Sequence, residues 1–108
     1  VQILVQVVCT KGSSLRRRIA TDAKLADFNL EVSEQKRSGR PHGWAKVHST
    51  VEDRHGAINI EWDADTCVLI CRVVTRGKGK PNLIIGDFVD YLLRRFTSRI
   101  QAINIIPR

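Results

Sequence analysis

Apolar and polar side chains alternate along four stretches of this chain, and along one they recur at helical spacing. In the opening "VQILVQVVCT", Val1, Ile3, Val5 and Val7 point one way and Gln2, Leu4, Gln6 and Val8 the other. "FNLEVSEQK" sets Phe28, Leu30 and Val32 against Asn29, Glu31, Ser33 and Gln35. In "GWAKVHSTV", Ala45, Val47 and Val51 share one parity and Trp44, Lys46 and His48 the other. "AINIEW" puts Ile58, Ile60 and Trp62 on one face. "CVLICRVVT" is apolar on both parities until Arg72, as in the middle of a sheet. "IQAINII" reads as a last strand. Each of these stretches predicts a strand.

The helical spacing belongs to Ile85, Phe88, Val89, Leu92 and Phe96. Asn82 is the expected N-cap of a helix over about 82–98. Asp87 and Asp90 fall early in that helix and Arg94, Arg95 and Arg99 late, which complements its dipole. Asp90 and Arg94 are also spaced for an ion pair one turn apart. Ser13 or Ser14 is suited to cap a short helix through Arg18 and Ala20. Turn chemistry separates the strands: "RSGRPH", "EDRHG" and "DADT".

The expected fold is therefore α+β and two-layered. A mainly antiparallel sheet, with a central four-strand meander plus N- and C-terminal strands, carries one long and one short helix on one face. At 108 residues the chain fits a single domain, 1–108. It contains no methionine, so Val1 is not an initiator, and the chain reads as processed or as a piece of something longer. No apolar run is long enough for a membrane span.

Charge alters this picture. Lys plus Arg number 18 against 11 Asp plus Glu, a net charge of +7. That balance favours a polyanionic partner. The basic residues concentrate in three glycine-containing segments: "KGSSLRRR" with Lys11, Arg16, Arg17 and Arg18; "KRSGR" with Lys36, Arg37 and Arg40; and "RGKGK" with Arg76, Lys78 and Lys80. The third runs into a helix N-terminus and is the best single anion site by local chemistry. Its glycines are too close, and Pro81 follows the lysine, so it is not a nucleotide-binding P-loop. If the first strand runs parallel to the second, "KGSSLRRR" falls at the same end as Gly39 and "RGKGK" stands apart. If antiparallel, "KGSSLRRR" joins "RGKGK". The sequence leaves both open.

Trp44, beside Lys46 on the outward parity, is a candidate base-stacking platform. Glu31 and Glu61 share that face and count against nucleic acid lying across it. The leading expectation is a non-enzymatic domain that binds DNA, RNA or another polyanion. The alternative is an assembly module forming a homodimer through a sheet edge or face.

Enzymatic readings rest on little. His42, His48 and His55 match no metal-site spacing, and Glu52 and Asp53 adjoin His55 in one turn. A pocket holding two or more of these five residues is the feature that would favour an enzyme. No motif calls for a cofactor. Three cysteines, Cys9, Cys67 and Cys71, make an odd count that suits a reducing, cytoplasmic setting. Cys67 and Cys71 are expected on one strand, roughly 13 Å apart, as small packing residues.

Overall fold

A computed structural model describes residues 2–40 and 43–107, so Val1, Pro41, His42 and Arg108 lie outside the description. The strands are β1 (Gln2–Cys9), β2 (Leu30–Glu34), β3 (Trp44–Ser49), β4 (Gly56–Asp63), β5 (Val68–Thr75) and β6 (Ile100–Pro107). The helices are α1 (Leu15–Ala20) and α2 (Pro81–Phe96), with short 3-10 turns at Ala23–Phe28, Glu52–Arg54 and Thr97–Arg99. The expected α+β architecture is what forms. One six-stranded sheet has the order β2-β3-β4-β5-β1-β6, with every neighbouring pair antiparallel.

That order settles the open question about β1. Because β1 is antiparallel to β5, it runs in the same direction as β4 and β2. The ends of β1 and β2 therefore lie at one end of the sheet and the end of β5 at the other. "RGKGK" stands apart from the other two basic loops.

One parity of β1, β3, β4 and β5 is sealed under the helices. Val5 and Val7 of β1, Ala45 and Val47 of β3, Ile58 and Ile60 of β4, and Leu69, Cys71 and Val73 of β5 are fully buried. They meet Leu15 and Ile19 of α1 and Ile84, Phe88, Tyr91 and Leu92 of α2. The helix stripe is one residue wider than the spacing predicts, because Ile84 and Tyr91 are buried while Val89 is only partly so. At Gly56 an added Cβ would stand 2.6 Å from both Ile84 Cδ1 and Thr75 Cγ2, so only glycine lets α2 sit this close to the start of β4.

Several boundaries move. Ser14 does cap α1, accepting from the Arg17 N–H at 3.2 Å. Asn82 is not a cap: α2 begins at Pro81 with Lys80 at the N-cap. Proline is pre-set for the first helical position and has no N–H to leave unpaired there, so it starts the helix instead of delaying it. Phe28 closes a 3-10 turn, Val51 lies beyond β3, and Cys67 sits in the β4–β5 turn with φ 56°. Cys9 and Cys71 are buried, and burial pushes both thiols up.

A buried polar link fastens α2 to the segment after α1. Tyr91 packs edge-on against Phe28 and Phe96, and its hydroxyl donates to Asp22 Oδ2 at 2.9 Å. Arg95 donates to the same carboxylate at 2.9 and 3.2 Å, and the Lys24 N–H at 3.1 Å. Burial alone would raise the Asp22 pKa; the hydrogen bonds from Arg95, Lys24 and Tyr91 outweigh it and hold the carboxyl below the ordinary range. A depressed folded-state pKa contributes stability that is complete above the ordinary Asp range and is lost as pH falls through the folded value. Asp22→Asn is therefore expected to cost about 1–3 kcal/mol near neutral pH and to flatten the acid limb of the stability profile. Urea titrations at several pH values check both; an unchanged acid limb would remove Asp22 from this role.

Candidate anion groove on the open sheet face

The opposite parity faces no second layer. Its side chains form rows that follow from strand register: His48–Ala57–Val74–Gln2, then Lys46–Asn59–Arg72–Leu4, then Trp44–Glu61–Ile70–Gln6. The first two rows, without Leu4, floor a groove of about 960 Å³. Arg40 closes it on one side. His55, Arg76, Gly77 and Lys78 form its rim at the other end of the sheet. Among the described residues, five Lys or Arg side chains thus line it, Arg40, Lys46, Arg72, Arg76 and Lys78, and no Asp or Glu does.

Five carboxylates pair with cations that do not line the groove. Arg37 pairs with Glu34, Arg54 with Asp87, Lys80 with Asp53, Arg94 with Asp90 and Arg95 with Asp22. The Arg94 pair is the one-turn pair expected from the sequence. Among the described residues, none of the five groove cations is in an ion pair. Arg37 also holds the Glu34 carboxyl below its ordinary range, through its hydrogen bonds first. Glu31 stands 3.6 Å from His48 Nε2, and Glu61 lies in the Trp44 row, outside the groove.

Three of the five N–H groups of the "RGKGK" loop are bonded within the fold. Its N–H groups at Arg76, Gly79 and Lys80 donate to the carbonyls of His55, Arg76 and Arg54, at 3.1, 2.8 and 3.0 Å. A Cβ on Gly79 would approach Thr75 Cβ to 2.6 Å and the Arg54 carbonyl to 2.9 Å, so the loop is folded tightly onto the 3-10 turn at Glu52–Arg54. Lys80 turns away to Asp53. Arg76 and Lys78 are left to reach the groove.

The remaining predicted contacts disperse. Leu15 and Ile19 anchor α1 in the core, which places Arg16, Arg17 and Arg18 on the helical side, across the sheet from the groove. Arg18 lies 4.9 Å above the Phe96 ring. Lys11 is exposed just past the end of β1, and Lys36 is exposed in the β2–β3 loop. Thus Arg40, Lys46, Arg76 and Lys78 come together, while Lys11, Arg16, Arg17, Arg18, Lys36, Arg37 and Lys80 do not line the groove. Arg72, His48 and His55 join the set without having been singled out as anion contacts. Their parity was the available signal: Arg72 is the one charge in an apolar strand and faces outward beside Asn59.

Trp44 is not an exposed platform. It is 2% exposed, with the Arg37 and Arg40 guanidinium carbons 5.4 and 5.3 Å from its ring centroid. Large aromatic surface on an uncovered sheet face gains more by taking a cover than by waiting for a ligand, and arginine supplies one through cation–π contact. The ring therefore positions Arg40 at the groove.

Comparison with family models, curated proteins and solved structures finds no match to this chain.

Because Trp44 is packed, Trp44→Ala is expected to cost about 3 kcal/mol, whereas Arg40→Ala costs less than about 1 kcal/mol. Denaturant unfolding of both variants measures this. Near-neutral behaviour of Trp44→Ala would return the ring to the role of an exposed surface residue.

Proposed function

We propose that this domain binds nucleic acid, or a polyanion of similar charge spacing, along the open face of its sheet. The observation that carries the reading is the groove itself: five cations without a carboxylate among them. Lys46 and Arg72 stand two strands apart, roughly 10 Å, a span suited to successive phosphates of one strand. Asn59 and Gln2 on the floor offer amide donors and acceptors, and Ala57 and Val74 offer apolar contact. No helix among the described residues is long and apolar enough to cross a membrane.

Each phosphate neutralised releases counterions, so affinity must fall with salt. Five contacts to a single strand give a slope of about −3.5 in log K against log salt, a loss of roughly 100-fold between 50 and 200 mM. Lys46→Ala or Arg72→Ala is expected to reduce the slope by about 0.7 each; Arg17→Ala, on the helical side, leaves it unchanged. Fluorescence anisotropy with a labelled single-stranded oligonucleotide reads these slopes. A flat salt response, or an equal effect of Arg17→Ala, would reject the groove as the binding face.

A second reading, assembly of two copies, is favoured by β6. This free edge strand carries no charged residue over its eight positions and exposes Ile105 at 48% and Ile106 at 38%. An uncharged edge is a template for pairing, and antiparallel self-pairing there brings no like charges together. Light scattering on the purified chain is expected to give a dimer whose formation ignores salt, and Ile105→Lys a monomer. A monomer at all concentrations tested would dispose of this reading.

A further inference from the structure

The groove holds two histidines as well as its cations. His48 lies on the open face of β3, directly opposite Ala57 of β4. His55 stands two residues before Ala57, at the end of the 3-10 turn that leads into β4. Both line the groove. His55 has φ 47°, a left-handed conformation that is uncommon for a side-chain-bearing residue, and its carbonyl is held by the Arg76 N–H at 3.1 Å. Non-glycine residues in this conformation cluster at functional sites. The Glu31 carboxylate stands 3.6 Å from His48 Nε2, so an acidic neighbour adjoins this imidazole.

Building on the polyanion reading, we propose that this groove cleaves single-stranded RNA by intramolecular transphosphorylation, with His55 and His48 as base and acid. RNA carries its own nucleophile. The base takes the proton of the 2′-hydroxyl, and the 2′-oxygen attacks the adjacent phosphorus. The bond from phosphorus to the 5′-oxygen breaks as that oxygen receives a proton from the His48 imidazolium. One proton enters at His55 and one leaves from His48. The products are a 2′,3′-cyclic phosphate and a free 5′-hydroxyl, and no external reactant is consumed. An acid and a base flanking one phosphodiester each need hydrogen-bond reach of about 2.6–3.2 Å to oxygens on opposite sides of the phosphorus, and both imidazoles line this one groove. Lys46, two residues before His48 on the same face, and Arg76 at the His55 rim hold the charge that builds on the phosphoryl oxygens.

The test uses the purified chain with an end-labelled single-stranded RNA, the same sequence as DNA, and the RNA with one 2′-deoxy position. The expected result is scission of RNA to cyclic-phosphate ends, with no cut at the 2′-deoxy position. The DNA is expected to be bound but intact. The rate should trace a bell-shaped pH profile, because one imidazole must be neutral and the other protonated. His48→Gln and His55→Asn should each lower the rate roughly 10²–10⁴-fold while RNA binding at low salt is retained; asparagine is chosen because it tolerates the left-handed backbone. RNA that is bound with the expected slope yet left intact overturns this proposal and spares the binding reading. Scission that survives in both variants also overturns it. Failure to bind RNA or DNA at low salt overturns both.

Discussion

A helix of 16 residues and another of 6 can cover only one side of a six-stranded sheet. At about 1.5 Å per residue α2 is roughly 24 Å long, close to the width of six strands at about 4.8 Å spacing. The apolar parity of β1, β3, β4 and β5 takes that cover and is sealed, leaving the other parity to solvent. An uncovered face need not be charged. Here its middle carries Lys46 and Arg72, while the carboxylates of Asp22, Asp53, Asp87 and Asp90 are engaged by partners beyond it. Glu34 and Glu31 stand opposite Lys46 and His48 on β2, so carboxylates border the groove on that side without lining it.

The same economy governs the loop before α2. Bonds from Arg76 to the His55 carbonyl and from Lys80 to the Arg54 carbonyl tie the end of β5 to the turn before β4. Gly79 permits the close approach and Gly77, at φ +52°, the change of direction. Three of the loop's five N–H groups, those of Arg76, Gly79 and Lys80, are committed in this way. The loop can hold two side chains and one imidazole on a common rim, and rigid placement is what a site built from loops otherwise lacks.

Period-two alternation made most of the fold legible. β1, β2, β3 and β4 show it directly, and α2 shows its stripe from Ile85 to Phe96. Direction was less legible. Which way β1 runs depends on a crossover through α1, and nothing local to "KGSSLRRR" encodes it. The site was half legible. Arg40, Lys46, Arg76 and Lys78 carry charge and were visible as such. Arg72 was hidden by its apolar neighbours, and His48 and His55 by their separation in sequence. Counting basic residues loop by loop also could not show that Arg16–Arg18 stand on the other face from the groove, where the amphipathy that buries Leu15 and Ile19 places that helix. Trp44 misled for a physical reason: outward parity predicts exposure only when no neighbouring side chain is long enough to fold over it, and Arg37 and Arg40 are.

The spacing of the groove cations answers an objection to placing them together. Like charges directly opposite on neighbouring strands destabilise a sheet. In the row Lys46–Asn59–Arg72 a neutral amide separates the two cations, holding them roughly 10 Å apart. That is about one Debye length at 0.1 M salt, so in the free protein their repulsion is largely screened. A bound anion between them lies about half that distance from each and is attracted by both within the screening length. The arrangement costs little when the groove is empty and concentrates attraction when it is filled. Replacing Asn59 by lysine would add charge and lose this property, because three cations about 5 Å apart repel inside the screening length. More charge on this face would therefore strain the sheet before it strengthened the site.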